Sequence, residues 1–223
     1  MKIIAASYSI LSEIDGKKLI KNIERAGRTC YKSESNITDE SAANFVKMLL
    51  DRGHESVIEH EKISVLFVCD RGVSHELVRH RIASFSQEST RYCNYSKDKY
   101  GNQLTFIQPN WISDKDIELL SKINEYTYPQ LDSHNSFAWY AACKQAENAY
   151  LLLIKEGWKP EQARSVLPNS LKTEIVITAN LREWRTIFKQ RTAKAAHPQM
   201  RELMCPLLAD LKILIPVIFD DIC

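Results

Sequence analysis

LKTEIVITANLREWRTIFKQR, residues 171–191, changes its period part-way along. Leu171, Thr173, Ile175 and Ile177 alternate with Lys172, Glu174, Val176 and Thr178, the pattern of a half-buried strand. NLREWRTIFKQR then reads as a helix. Residues 62–69, KISVLFVC, alternate in the same way and predict another strand, closed by a turn at Asp70-Arg71-Gly72. MKIIAAS and QLTFIQ (103–108) are further strand candidates. VSHELVRHRI predicts a short helix with Val73, Leu77, Val78 and Ile82 on its apolar side. An earlier helix carries Leu19, Ile20, Ile23 and Ala26 and is expected to end near Gly27. The next runs from an N-cap at Thr38 through Phe45, Val46, Leu49 and Leu50 to a capping Gly53. Helices are also expected over 132–156, from Pro160 to Pro168, and from HPQMREL onward. No βαβ regularity links these elements. The expected class is α+β, a single mixed domain over residues 1–223 with a mainly antiparallel sheet flanked by helices and long C-terminal helices.

Composition narrows the function. Of the 223 residues 44% are hydrophobic, enough for a sizeable core. Lys and Arg number 30 against 28 Asp and Glu, so the net charge of +2 gives no global basic field and any anion site must be a local cluster. Cys30, Cys69, Cys93, Cys143, Cys205 and Cys223 form no CxxC pair and no Cys/His grouping at zinc spacing, as expected of a reduced cytoplasmic protein. No signal peptide is suggested, and no apolar run approaches the roughly 20 residues of a membrane span. LLADLKILIPVIF is broken by Asp210, Lys212 and Pro216 and reads as a core or interface helix. GHESVIEH, 53–60, pairs two histidines with two carboxylates but lacks HExxH spacing, so no metal site is expected.

Two clusters carry the charge. ELVRHRIASFSQESTRYCNY, 76–95, sets Arg79, His80, Arg81 and Arg91 among Ser84, Ser86, Ser89 and Thr90. Between residues 182 and 194 stand five cations and one acid, Glu183; Arg182, Arg185 and Lys189 would share one helix face, which by itself reads as a solvated basic surface. The glycines are scattered, with no GxGxxG or Walker loop, so any phosphate must be recognised mainly by arginines, whose planar fork donates two parallel hydrogen bonds.

Arg79-His80-Arg81, seven residues, then Ser89 resembles the signature of the flavin-dependent thymidylate synthases. GHES, EQARSVLP and NLREWRTIFKQR with AAHPQMREL are similar to the family's other blocks, in order, across residues 53–203. The resemblance implies synthesis of dTMP from dUMP, with 5,10-methylenetetrahydrofolate as carbon donor and reduced FAD, regenerated by NADPH, as hydride source. It places His54, Ser56, Arg79, His80, Arg81, Gln87, Asn180, Leu181, Arg182 and Thr186 at FAD, His54 and Ser56 reaching it from a neighbouring subunit. For dUMP it implies Glu76, Leu77, Val78, Arg79, Gln87, Glu88, Ser89, Thr90, Arg91, Arg164 and Arg191. Arg191 is the implied catalytic group, stabilising the uracil as its anion beside N3/O2 without a cysteine nucleophile. Thr186 stands where relatives often have histidine or asparagine, and Gln87 where some have a carboxylate. A homotetramer with sites at subunit junctions is implied, without nucleic-acid or membrane partners. Two other classes stay open: a nucleic-acid-binding module stacking bases on Tyr92, Tyr95 and Trp184, and a different flavoenzyme on the same scaffold.

Overall fold

The computed structural model describes residues 1–122 and 134–222. In chain order the strands are β1 (Lys2–Ile4), β2 (Ser7–Ile10), β3 (Lys62–Asp70), β4 (Ala83–Gln87), β5 (Thr105–Ile107) and β6 (Lys172–Asn180). The α-helices are α1 (Gly16–Tyr31), α2 (Ser41–Asp51), α3 (Arg71–Leu77), α4 (Asp114–Ser121), α5 (His134–Lys155), α6 (Pro160–Ala163), α7 (Leu181–Arg191) and α8 (Pro198–Leu214). A 3₁₀ turn spans Glu55–His60. The fold is mixed α+β, with a four-stranded antiparallel sheet in the order β2-β3-β6-β4 and a parallel β1-β5 pair. Along β3 and β6 the alternation read from sequence is the alternation of burial, with Ile63, Val65, Phe67 and Thr173, Ile175, Ile177 turned inward. Their antiparallel register is fixed at both ends. Leu181 N–H donates to Glu61 O at 3.0 Å, and Arg71 N–H to Leu171 O at 3.1 Å.

The chain forms two compact units. One comprises residues 1–7, 68–76 and 87–175; the other comprises 8–67, 77–86 and 176–223. Strands β2, β3, β4 and β6 each have residues in both. The first unit is built on Tyr95, Leu104, Phe106, Cys143, Tyr150, Ala163 and Leu171. In the second, α1 packs on α2 and α7 on α8, and Trp184, Phe188 and Phe219 meet through ring contacts at 5.5 Å.

Several expectations are corrected. α1 continues past Gly27 to Tyr31, because that glycine provides close approach and not an end: a Cβ there would meet Phe45 at 2.7 Å. α2 starts at Ser41, whose hydroxyl accepts the Thr38 N–H at 2.9 Å, so Thr38 is not the cap. Gly53 does sit in the left-handed region at φ +71° behind α2. Asp70-Arg71-Gly72 is no turn: β3 runs straight into α3, with Asp70 Oδ1 accepting the Val73 N–H at 2.7 Å. Val73 and Leu77 are buried, but Val78 and Ile82 are exposed, since α3 stops at Leu77. β4 then forms within a stretch read as helix and loop. Of the helix expected over 132–156, residues 132 and 133 lie outside the described residues.

Candidate active site

In the second unit, helix α7 carries the basic cluster. Asn180 caps it, its Oδ1 accepting the Glu183 N–H at 2.8 Å. The three cations expected on one solvated face part company. Arg182 is exposed and pairs with Glu59 at 2.6 Å. Arg185 is buried, held by Glu55 at 3.2 Å, Asp221 at 2.6 Å and the carbonyl of Ile218. A buried guanidinium needs this set of acceptors, and Arg185 ties the Glu55 turn to the chain's final turn. It belongs to the scaffold and not to a basic surface.

Arg191 ends the same helix. Its Nε–H donates to Nε2 of His80 at 2.9 Å, joining two sequence blocks more than a hundred residues apart. His80 is 6% exposed, and its Nδ1 lies 3.7 Å from Glu183 Oε1, too far for a hydrogen bond. Burial, and then the Arg191 charge, push the His80 pKa down to about 4. The ring is neutral at pH 7, with Nε2 as acceptor. Burial raises the Glu183 carboxyl. Glu183 and Arg191 lie eight residues apart, about 12 Å along one helix face.

Of the other expected residues in this unit, Arg79 and Arg81 are exposed, and among the described residues neither forms an ion pair. His54, with Tyr31 Oη 2.9 Å from its Nδ1, and Ser56 flank the start of the 3₁₀ turn, which packs on α7. Leu181 is buried and Thr186 exposed, the latter's hydroxyl donating to the Arg182 carbonyl at 3.3 Å.

In the first unit, the segment after β4 is folded on itself. Ser89 O accepts the N–H groups of Tyr92 and Cys93, and Ser89 Oγ accepts the Arg91 N–H at 3.3 Å. Arg164 reaches this loop, its Nη1 donating to Thr90 Oγ1 at 3.4 Å. Thr90 is buried while Arg91 and Arg164 are exposed, and the Arg91 guanidinium lies over the Tyr92 ring, 5.5 Å from its centroid. Gln87 donates its amide N–H groups to Ser74 at 2.9 Å and Thr173 at 3.2 Å, which leaves its carbonyl oxygen for other use. Glu88 is engaged by Tyr95 and Lys172, both at 3.0 Å. Glu76 is half-buried; Leu77 and Val78, in the second unit, are buried and exposed.

The sequence reading missed Glu183 as the second neighbour of His80, although its spacing from Arg191 on one helix was available. It also missed Tyr31 and Asp221, for which no local pattern exists. Among the described residues no group of three His, Cys, Asp or Glu side chains is placed to hold a metal.

Residues 14–217 match the model of the family described as thymidylate synthase complementing protein. A protein of Mycolicibacterium gilvum (strain PYR-GCK), described as flavin-dependent thymidylate synthase, is 33% identical over 202 residues, 89% of this chain and 78% of that protein. The chain belongs to the flavin-dependent thymidylate synthase family. Proteins of the same description from Mycobacterium tuberculosis (strain ATCC 25618 / H37Rv) and Mycobacterium avium (strain 104) are 30% and 31% identical, each match covering 89% of this chain and 78% of the relative. The matched span of this family member holds the His80–Arg191 pair, the Arg164–Thr90 contact and the whole of α7.

Proposed function

We propose that the chain is a flavin-dependent thymidylate synthase that converts dUMP to dTMP, with 5,10-methylenetetrahydrofolate as carbon donor and NADPH regenerating the reduced FAD. The observation that carries this reading is the Arg191–His80 hydrogen bond at 2.9 Å, which joins the family signature to the arginine implied as its catalytic group. With Nε held by His80, Arg191 is oriented as a planar donor, the geometry the resemblance calls for at the N3/O2 edge of uracil. A fixed cation there stabilises the uracil anion and enriches C5 as a nucleophile. Thiol attack is disfavoured at Cys69 and Cys143, whose pKa values burial pushes up to about 12. Cys93 packs against the Tyr95 core.

The donor set of the second unit suits FAD. Arg79 and Arg81 are exposed cations with no acid in ion-pair contact among the described residues, fitted to a pyrophosphate, and His54, Ser56 and Thr186 add exposed hydrogen-bonding groups. Bound and reduced, FAD supplies the hydride. Gln87, Asn180, Leu181 and Arg182 complete the set assigned to it by resemblance. For dUMP, Ser89, Thr90, Arg91 and Arg164 offer hydroxyls and guanidiniums to a phosphate, and Glu76, Leu77, Val78, Arg79, Gln87 and Glu88 complete the assignment. Ser89 serves as ligand and not nucleophile. Residues 1–223 are read as one catalytic domain, cytoplasmic and homotetrameric, without nucleic-acid or membrane partners. Among the described residues no helix is long and apolar enough to cross a membrane. The test is direct. Purified protein should carry the visible flavin band and form dTMP from dUMP with NADPH and methylenetetrahydrofolate; a colourless protein inactive with added FAD would refute the reading.

A further inference from the structure

One residue past Arg191 lies a cavity of about 470 Å³, outside every residue assigned above. Helix α8 contributes Arg201, Cys205, Leu208, Ala209 and Lys212 at spacings of four, three, one and three, a single stripe along the helix. Ala193 and Lys194 contribute from the segment between α7 and α8. The lining is apolar at Ala193, Leu208 and Ala209 and cationic at Lys194, Arg201 and Lys212. Among the described residues no acidic side chain lines it. Arg201 Nε donates to the Thr192 carbonyl at 3.4 Å and Lys212 Nζ to the Ile222 carbonyl at 2.6 Å, so both are oriented yet keep further N–H groups unspent.

Three cations beside apolar surface ask for negative charge. A second copy of the same patch does not supply it, because a two-fold contact would set cations against cations. Arg201 and Lys212 are eleven residues apart, about 16 Å along the helix axis, further than one phosphate or carboxylate reaches. The fitting ligand spreads several anionic groups along an apolar body. We propose that this cavity holds the γ-linked glutamate chain of the folate donor, its carboxylates on Lys194, Arg201 and Lys212. This rests on the function proposed above.

The test is calorimetric titration of the flavin-loaded protein with p-aminobenzoyl-tri-γ-glutamate, and in parallel with tripolyphosphate. The triglutamate probe should bind, more weakly as salt rises, and the Lys194→Ala/Arg201→Ala variant should lose about tenfold in affinity. Circular dichroism checks that the variant is folded; the single exposed-site variant Lys194→Glu, with a smaller loss in the same direction, provides the independent reading. Absence of triglutamate binding, or binding unchanged in both variants, overturns the proposal. Tighter binding of tripolyphosphate, lost in the variant, assigns the cavity to a polyphosphate and overturns it as well. Because the titration needs no turnover, failure to make dTMP is a separate result and bears only on the proposed activity.

Discussion

His80 keeps its Nε2 lone pair for Arg191 because the ring is buried beside a guanidinium that never deprotonates. The sign of the pH effect follows. The folded pKa is pushed down to about 4 from an ordinary 6.5, so between those values the unfolded chain binds the proton and the folded chain does not. This contribution is whole above pH 6.5 and is lost as pH falls toward 4. Glu183, raised by burial, acts with the opposite sign, so the informative quantity is the difference between wild type and His80→Gln. Urea unfolding at pH 7 and pH 5 should show that difference shrinking by on the order of 2 kcal/mol at the lower pH; an unchanged difference would mean that His80 is protonated with Arg191 turned away. The sequence marked His80 and Arg191 as candidate site residues. It held nothing to say that they meet, because hydrogen bonding across more than a hundred residues leaves no local period. Arg185 shows the converse: its type and spacing suggested a solvated face, and only its acceptors, Glu55 and Asp221, reveal a buried scaffold cation.

Strand β6 and helix α7 were legible because burial imposes its period on the sequence, two residues in the strand and about 3.6 in the helix. β4 was not, since ASFSQ has only one large apolar residue and no exposed edge can be read from it. The junction of β3 and α3 misled for another reason. Asp-Arg-Gly is common turn chemistry, yet Asp70 uses its carboxylate to cap a helix that begins at once. The glycines carry a further test. Gly16, first residue of α1, lies against the end of α8, and a methyl group there would run into the backbone carbonyl of Leu214. Gly16→Ala should therefore destabilise the protein by about 1–3 kcal/mol in urea unfolding, although alanine is ordinarily the better helix former. An equal or higher midpoint would show that α1 and α8 separate at little cost.

The second unit exposes large apolar residues: Ile82, next to Arg81, is 70% exposed, and Ile213 on α8 is 81% exposed. Such surfaces are what an assembly covers. Light scattering should give a tetramer, and Ile82→Asp should shift it toward smaller species with weaker flavin retention; a stable wild-type monomer that binds FAD tightly would remove the assembly from the account. The composition required any anion site to be a local cluster, and the order of the blocks made the family legible. The pairing between blocks did not follow, since charge complementarity is set by the fold. The most direct measurement compares dTMP formation by wild type and Arg191→Ala, both flavin-loaded, at saturating dUMP, with NADPH-dependent flavin bleaching followed in the same samples. The expected result is a folded yellow variant that NADPH still reduces but that forms dTMP about a hundredfold more slowly, the loss of roughly 3 kcal/mol from a preorganised charge. Near-normal dTMP formation would make Arg191 only a helix-end cation and contradict the mechanism.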